Sequence, residues 1–265
     1  MTALKGLEWT FDTVASTYEK LRPGYVKELY QTLFDYISIH ENSNVVEVGS
    51  GGGQATDPIL ATGCHLIAVE YGKHFSELLK EKFKEYPNFS VITGKFEDTT
   101  FDNNAFDLVF SASAFHWVPE KIGYEKVFSM LKSGGVFARF ANHPYRGKGN
   151  PALSHEIDEI YDQYYYKYYH KERQTISEYT EQQAKERAMI ANKYGFSDIQ
   201  YKLFYRERVF SAKEYIKLLG TYSDHIAIEE NIRNAFFERI EEAINKHGGT
   251  ITIYDTIDLQ LARKH

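Results

Sequence analysis

The order of apolar patterns along the chain predicts a doubly wound α/β fold, in which helices cover a mostly parallel sheet. Short apolar runs typical of buried strands recur at 45–48, 66–69, 91–92, 106–111 and 136–140. Most of the segments between them carry apolar residues at three- and four-residue spacing, as an amphipathic helix requires. Strands that alternate with helices favour right-handed crossovers and parallel pairing.

Three helix stripes support this framework in the first half of the chain. Apolar residues mark one face over 26–37, a second over 75–83 and a third over 124–131. We expect Ser133-Gly134-Gly135 to end the third helix before the strand at 136–140 begins, because glycine commonly follows the end of a helix.

The character of the sequence changes after Asn142. A polar connector at 143–150 precedes about fifty residues of charged, Tyr-rich helical sequence, for which aromatic helix packing and a pocket wall are both open interpretations. Beyond it, a helical region at 212–247 lies between strand patterns at 201–210 and 250–261. We therefore predict one domain over 1–265 with these parts: an N-terminal lid and first helix (1–40), a cofactor-binding core (44–142), a helical cap insertion (145–200) and late strands with an intervening helix (201–265).

Composition and charge limit the classes of partner. The net charge is -6 and the pI is near 6.0, so no excess of Lys and Arg is present to neutralise nucleic-acid phosphates. Cys64 is the one cysteine, which favours a reducing compartment. The first residues lack a signal-peptide pattern, and no apolar run is long enough to span a bilayer. We expect a cytoplasmic protein with no membrane partner and, since no His/Cys/Asp/Glu spacing suits one, no metal.

The strongest local signal is a buried strand that runs directly into a glycine-rich turn and then a helix, over Val45 to Thr56. Glycines at alternate positions let the backbone approach a ligand closely, with helix N–H groups exposed behind them. Glu70 ends the next strand, at about the twenty-residue separation expected of a carboxylate that binds ribose hydroxyls. Together these features predict an adenosine-containing cofactor.

Two residues in and before the turn discriminate between cofactors. A dinucleotide fingerprint needs glycine at position 54, where this chain has Gln54. Glu47 stands two residues before the first glycine, where its charge would repel a pyrophosphate but could accept hydrogen bonds from an ammonium group. The pattern therefore favours S-adenosylmethionine, which carries an ammonium and a sulfonium.

The segment 47–56, EVGSGGGQAT, resembles motif I of the class I S-adenosylmethionine-dependent methyltransferases. Residues 106–109 resemble the fourth strand of that family, and residues 131–135 resemble the turn before its fifth. Within it the chain resembles the small-molecule branch that includes trans-aconitate methyltransferase. The segments that carry this second resemblance are Arg22-Pro23-Gly24-Tyr25, Ala112-Ser113-Ala114-Phe115-His116-Trp117 and Thr221-Tyr222-Ser223.

The resemblance implies a seven-stranded sheet that ends in an antiparallel hairpin, and it implies roles for individual residues. The methionyl end of the cofactor would lie against the acid, the glycine turn and the end of the fourth strand, and the nucleoside against the ends of the second and third strands. The residues implied in cofactor binding are Glu47, Gly49, Ser50, Gly51, Gly53, Glu70, Tyr71, Phe96, Glu97 and Ser113.

Further residues are candidates for the chemistry of methyl transfer. Tyr18 and Trp117 could form aromatic walls around the sulfonium, with ordinary core or lid packing as the alternative. His116 could act as a general base for a hydroxyl or amine acceptor, or it could only shape the pocket. Arg22 could pair with a carboxylate of the cofactor or of an acidic substrate, or form a surface ion pair.

The expected function is methyl transfer from S-adenosylmethionine to a small-molecule acceptor, such as a carboxylate or another oxygen nucleophile, with S-adenosylhomocysteine as the product. A non-catalytic S-adenosylmethionine-binding regulatory protein is the alternative from another class, and a nucleotide-cofactor oxidoreductase is the rival among enzymes. The absence of a basic tract disfavours a nucleic-acid substrate. The oligomeric state stays open.

Overall fold

The computed structural model describes residue 22 and residues 24–265 of the chain. These residues form two compact units. The first, which we call the sheet unit, contains 24–142, 179–204 and 257–265. The second, which we call the tyrosine unit, contains 22, 143–178 and 205–256.

Seven strands form one sheet, in the order β3-β2-β1-β4-β5-β7-β6. The pairings of β1 with β2 and β4, of β2 with β3 and of β4 with β5 are all parallel. The predicted doubly wound seven-stranded sheet is thereby confirmed. The strands are β1 (Asn44–Val48), β2 (His65–Glu70), β3 (Phe89–Thr93), β4 (Phe106–Ala112), β5 (Leu131–Tyr145), β6 (Ser197–Ser211) and β7 (Thr250–Arg263).

The helices follow the predicted stripes. Leu29 and Leu33 lie four residues apart on one face of the first helix, and both are fully buried against the sheet. The helices are α1 (Lys27–Tyr36), α2 (Thr56–Leu60), α3 (Lys73–Lys82), α4 (Glu120–Met130), α5 (Pro151–Tyr161), α6 (Glu181–Met189), α7 (Ala212–Leu219), α8 (Ser223–Ile226) and α9 (Glu230–Lys246).

The predicted end of the third helix stripe was wrong. Helix α4 ends at Met130, and β5 begins at the next residue instead of at 136. The backbone N–H of Gly134 donates to the carbonyl of Lys264 at 2.6 Å, and the N–H of Lys264 donates to the carbonyl of Gly135 at 2.9 Å. The glycines are therefore held by a partner from the far end of the chain. Strand β5 also runs on to Tyr145, through the first residues of the predicted connector.

Within the tyrosine unit, the Tyr-rich segment packs as helix. Helix α5 continues into a π-helical turn at Asp162–Tyr166, and Tyr161, Tyr165 and Tyr166 are buried. The hydroxyl of Tyr165 donates to Asp224 Oδ2 at 2.7 Å, and the hydroxyl of Tyr161 lies 2.9 Å from Nε2 of the buried His225. The tyrosines therefore form part of the core of this unit, as the packing interpretation expected.

Among the described residues, no helix has the length and apolar character to cross a membrane. In the same residues, no group of three or more His, Cys, Asp or Glu side chains is arranged to hold a metal ion. Cys64 is buried and forms no disulfide.

Candidate functional site

The glycine turn follows β1 directly and needs glycine at three positions. Gly49, Gly51 and Gly53 have φ angles of +73°, +52° and +75°, in the left-handed region that other residues rarely adopt. A Cβ on Gly49 would lie 2.4 Å from Cβ of Ala114, and a Cβ on Gly53 would lie 2.8 Å from Cε2 of Phe83. The turn therefore lies directly against the segment after β4 and against the end of α3.

Glu70 connects this turn to the end of β2. Its Oε2 accepts a 2.8 Å hydrogen bond from the backbone N–H of Gly51, and its Oε1 accepts one of 2.8 Å from the N–H of Gly72. The side chain is mostly buried. The carboxylate predicted to bind ribose is therefore placed between the two segments that follow β1 and β2.

Glu47 lies behind the turn and is fully buried. Its Oε2 accepts a 2.6 Å hydrogen bond from the Thr56 hydroxyl at the start of α2, whereas its Oε1 has no hydrogen-bond partner among the described residues. Burial raises the pKa of this carboxyl from 4.5 to about 7, against the opposing effect of the nearby Thr56 and Ser50 hydroxyls. A buried acceptor atom without a donor fits the ammonium of an S-adenosylmethionine tail, so the residues present suit that cofactor.

The predicted nucleoside side of the site contains two aromatic residues in different environments. The Tyr71 side chain is 48% exposed, with the Lys95 ammonium 5.6 Å from its ring centroid. Phe96 is 3% exposed and packs in the core beneath the sheet end, so Tyr71 is the ring that a ligand can reach.

Lys126 of α4 fixes the turn that contains Phe96 and Glu97. Its ammonium donates to the backbone carbonyls of Phe96, Glu97 and Thr99, at 3.2 Å for Glu97. It also lies 4.8 Å from the centroid of the Phe96 ring. One half-buried ammonium therefore holds the 96–99 turn in place.

The segment after β4 borders the glycine turn. Ser113 has a φ of +57°, its N–H donates to the Phe140 carbonyl at 2.8 Å, and its Oγ lies 2.8 Å from the Tyr25 hydroxyl. Ser113, which is predicted to contact the methionyl group, therefore has a strained backbone conformation beside the glycine turn. Strain of this kind is common in functional sites.

His116 and Trp117 follow in a short 3₁₀ turn at Phe115–Trp117, with ring centroids 5.0 Å apart. Desolvation of the His116 ring lowers the pKa of this residue below its usual range, and the nearby guanidinium groups of Arg187 and Arg139 act in the same direction. A neutral, weakly basic imidazole follows at neutral pH.

Two predicted residues are not among the described residues of the sheet unit. Tyr18 lies outside the described residues. Arg22 belongs to the tyrosine unit, where its Nε donates to Thr221 Oγ1 and its Nη2 donates to the Thr221 carbonyl, both at 3.0 Å. Its guanidinium also lies 4.1 Å from the Tyr222 ring centroid. The pairing of Arg22 with a carboxylate ligand stays a prediction.

Sequence reasoning missed a group of buried polar residues in the sheet unit. Arg139 of β5 and Asp258 and Gln260 of β7 are all buried. With Arg187 of α6 they line a small cavity of about 10 Å³, room for about one water molecule, beside the end of β4. Asp258 and Gln260 fall on the polar positions of an alternating strand pattern, which normally face solvent, so the pattern did not indicate that they are buried.

Comparison with known proteins identifies the core of this arrangement. Residues 46–138, which contain the glycine turn, Glu70 and the segment after β4, match the family model described as "Methyltransferase domain". The matched segment ends within β5, so it covers the part of the chain that contains the predicted cofactor site.

Curated proteins that are similar to part of this chain include methyltransferases. An uncharacterised methyltransferase of Schizosaccharomyces pombe is 31% identical over 134 residues, which are 50% of this chain and 52% of that protein. A sterol 24-C-methyltransferase of Clavispora lusitaniae is 29% identical over 106 residues, 38% of this chain and 28% of that protein. The matched segment thus spans about half of the first relative and less of the second.

Solved structures share the fold at low sequence identity. A candidate type II methyltransferase of Anaeromyxobacter dehalogenans superposes with a TM-score of 0.63 at 17% identity, covering 92% of this chain and 99% of that one. Phosphoethanolamine N-methyltransferase 2 of Haemonchus contortus, solved with S-adenosylhomocysteine, gives 0.55 at 15% identity, covering 96% and 57%. These superpositions confirm the predicted methyltransferase fold.

Proposed function

We propose that the protein transfers a methyl group from S-adenosylmethionine to an oxygen of a small-molecule acceptor and releases S-adenosylhomocysteine. The observation that carries the proposal is the glycine turn between two carboxylates, of which Glu47 has one buried oxygen without a donor. We also propose that the protein belongs to the small-molecule branch that includes trans-aconitate methyltransferase and that its acceptor atom is an oxygen.

The charge pattern of the turn suits an amino-acid tail. Glu47 lies behind the turn and Glu70 at its side, so two acids flank the backbone of Gly49 to Gly53. An ammonium group would supply the hydrogen bond that Glu47 Oε1 lacks, whereas a pyrophosphate would meet two carboxylates in a site of low dielectric. This supports S-adenosylmethionine over a dinucleotide.

When bound, S-adenosylmethionine supplies a methyl carbon on a cationic sulfur, and the acceptor oxygen forms the new C–O bond as the C–S electron pair returns to sulfur. The residues of this chain contribute position. The left-handed glycines let the tail approach the backbone, and Ala114 and Ser113 limit where it can lie. Alignment of this kind can supply about 7–11 kcal/mol of a barrier.

Proton transfer has a small part in the proposed reaction. A carboxylate acceptor has no proton to lose, so no base is needed. His116, with its lowered pKa, is a weak base at neutral pH, because an effective general base has a pKa near the working pH. We therefore assign His116 and its neighbour Trp117 to the shape of the pocket, and their roles remain part of the proposal.

The experiment that tests the proposal follows label from the methyl group of S-adenosylmethionine into pools of small carboxylic acids, phenols, alcohols and amines. Labelled product from the acids, phenols or alcohols, together with S-adenosylhomocysteine, would support oxygen methylation. Binding of the cofactor without turnover in any pool would favour the regulatory alternative. The matched variant is Glu70→Ala, which should lose both binding and turnover if the turn is the cofactor site.

A further inference from the structure

Tyr25 lies two residues before helix α1 and contacts the segment after β4 within the sheet unit. Its hydroxyl lies 2.8 Å from Oγ of Ser113, and its ring meets the ring of Phe140 edge-on, with the centroids 4.7 Å apart. A Cβ on the preceding residue, Gly24, would lie 3.8 Å from the backbone carbonyl oxygen of Gln54. The residues before α1 therefore border both segments that are predicted to hold the methionyl end of the cofactor.

Ser113 is the residue through which Tyr25 can influence a ligand. Its side chain is exposed, although its backbone is held at a φ of +57° with the N–H donating to the carbonyl of Phe140 at 2.8 Å. The next residue, Ala114, is the one that a Cβ on Gly49 would meet at 2.4 Å. The Ser113 hydroxyl is therefore held one residue from the contact with the glycine turn, and a ligand can reach it.

The hydrogen-bond partners of Ser113 Oγ decide where its own hydrogen points. The backbone N–H of Asn142 donates to this oxygen at 3.4 Å, and a hydroxyl oxygen has two lone pairs with which to accept. Either hydroxyl of the Tyr25–Ser113 pair can be the donor. Donation by Tyr25 fills the second lone pair and leaves the Ser113 hydrogen for an acceptor outside the pair.

The tail of S-adenosylmethionine carries such an acceptor. Its carboxylate would be repelled by the two acids that flank the turn, Glu47 and Glu70, so it needs a donor from another segment. A hydroxyl that donates to a carboxylate forms a short, charge-assisted hydrogen bond. The exposed Ser113 hydroxyl beside the turn is a donor of this kind.

We propose that Tyr25 is a positioning residue for the cofactor: its hydroxyl donates to Ser113 Oγ, and the Ser113 hydroxyl donates to the carboxylate of the tail. Ser113 touches the ligand, whereas Tyr25 acts through Ser113. The inference rests on the proposed function and deepens it, because it assigns the tail carboxylate to one hydroxyl. It also adds a residue from outside the segment 46–138 that matches the methyltransferase model.

Calorimetric titration with a matched pair of ligands tests the inference. S-adenosylmethionine and its decarboxylated form share the nucleoside, the sulfonium and the ammonium, and they differ in the carboxylate. Tyr25→Phe should weaken S-adenosylmethionine by about two- to tenfold, the range for one neutral hydrogen bond, and should leave the affinity for the decarboxylated form unchanged. A purely structural role of Tyr25 would weaken both ligands equally.

Three further variants assign the contacts. Ser113→Ala should weaken S-adenosylmethionine relative to its decarboxylated form by about ten- to a hundredfold, the range for a lost hydrogen bond to a charged group. The double variant should match Ser113→Ala, because Tyr25 acts only through that hydroxyl. Tyr36→Phe is the matched control on helix α1, since its hydroxyl donates to the carbonyl of Asp198, and it should change neither affinity.

The outcomes separate failure of this inference from failure of the proposed function. If the wild-type protein binds S-adenosylmethionine but Tyr25→Phe leaves the ratio of the two affinities unchanged, the inference is overturned. A further fall of that ratio when Tyr25→Phe is added to Ser113→Ala has the same meaning. If Tyr25→Phe does not fold, as circular dichroism would show, the ratio in Ser113→Ala decides. Wild-type protein that binds neither ligand contradicts the proposed function itself.

Discussion

The backbone N–H of Gly51 donates a 2.8 Å hydrogen bond to Glu70 Oε2. The acid at the end of β2 therefore holds the turn after β1 before any ligand arrives. The same carboxylate also accepts from the N–H of Gly72, so it fixes two segments that would contact the cofactor. Preorganisation of this kind lowers the ordering cost of binding.

Replacement of Gly49 by alanine should destabilise the protein more than the same change at Gly134. Both glycines have a positive φ, of +73° and +80°, so both variants lose the backbone freedom of glycine, at a cost of about 1 kcal/mol. Only at Gly49 would the new methyl group meet Ala114, at 2.4 Å, while nothing lies within 4 Å at Gly134. Overpacking adds about 1–3 kcal/mol. Urea unfolding measures the difference, and equal losses in the two variants would contradict the close approach.

The buried carboxyl of Glu47 should make stability depend on pH. Its pKa is raised from 4.5 to about 7, so the folded protein holds this proton more tightly than the unfolded chain does. The contribution of Glu47 to stability is then greatest below pH 4.5 and declines as the pH rises to about 7. The loss amounts to about 3 kcal/mol.

Glu47→Gln should remove this dependence. The variant should be more stable than the wild-type protein at pH 8 and similar to it at pH 4, as urea unfolding at the two values would measure. If the free energies of unfolding of the two proteins differ by the same amount at pH 4 and at pH 8, Glu47 is not buried in its charged form.

Removal of the Lys126 ammonium should loosen the 96–99 turn. Lys126→Met leaves the carbonyls of Phe96, Glu97 and Thr99 without this donor, which should cost about 1–3 kcal/mol and raise the rate of amide hydrogen exchange in the turn. The matched control is Lys121→Met on the same helix, where the side chain is exposed. Exchange in the turn that is equal in both variants would contradict the role of Lys126.

His116→Gln should retain most of the methyl-transfer rate. A general base contributes about a hundredfold to ten-thousandfold, whereas a residue that shapes the pocket contributes less. We expect kcat to fall by less than about tenfold. The measurement is kcat against pH for both proteins. A loss above a hundredfold, together with the disappearance of a basic limb in the wild-type profile, would assign the base to His116.

The parts of the fold and site that local sequence determines could be predicted. The strand, the glycine turn and Glu70 form a continuous pattern, and the conformations of Gly49, Gly51 and Gly53 follow from residue type. The extension of β5 could not be predicted, because Gly134 pairs with Lys264, which is distant in sequence.

Side-chain partners were also beyond the sequence patterns. The spacing of Tyr161 and Tyr165 on a helix allows either a pocket wall or a core, and contacts with His225 and Asp224, about sixty residues away, decide for the core. The closeness of Arg139 and Gln260 likewise depends on the order of β5 and β7 in the sheet.

The most direct test of the account is calorimetric titration of the wild-type protein and Glu70→Gln with S-adenosylhomocysteine, and of the wild-type protein with NADH. We expect the wild-type protein to bind S-adenosylhomocysteine and not NADH. In Glu70→Gln, one oxygen that accepts from a backbone N–H becomes a donor, so the affinity for S-adenosylhomocysteine should fall by about ten- to a hundredfold. Wild-type protein that binds NADH, or that binds S-adenosylhomocysteine as tightly as the variant does, would contradict the account.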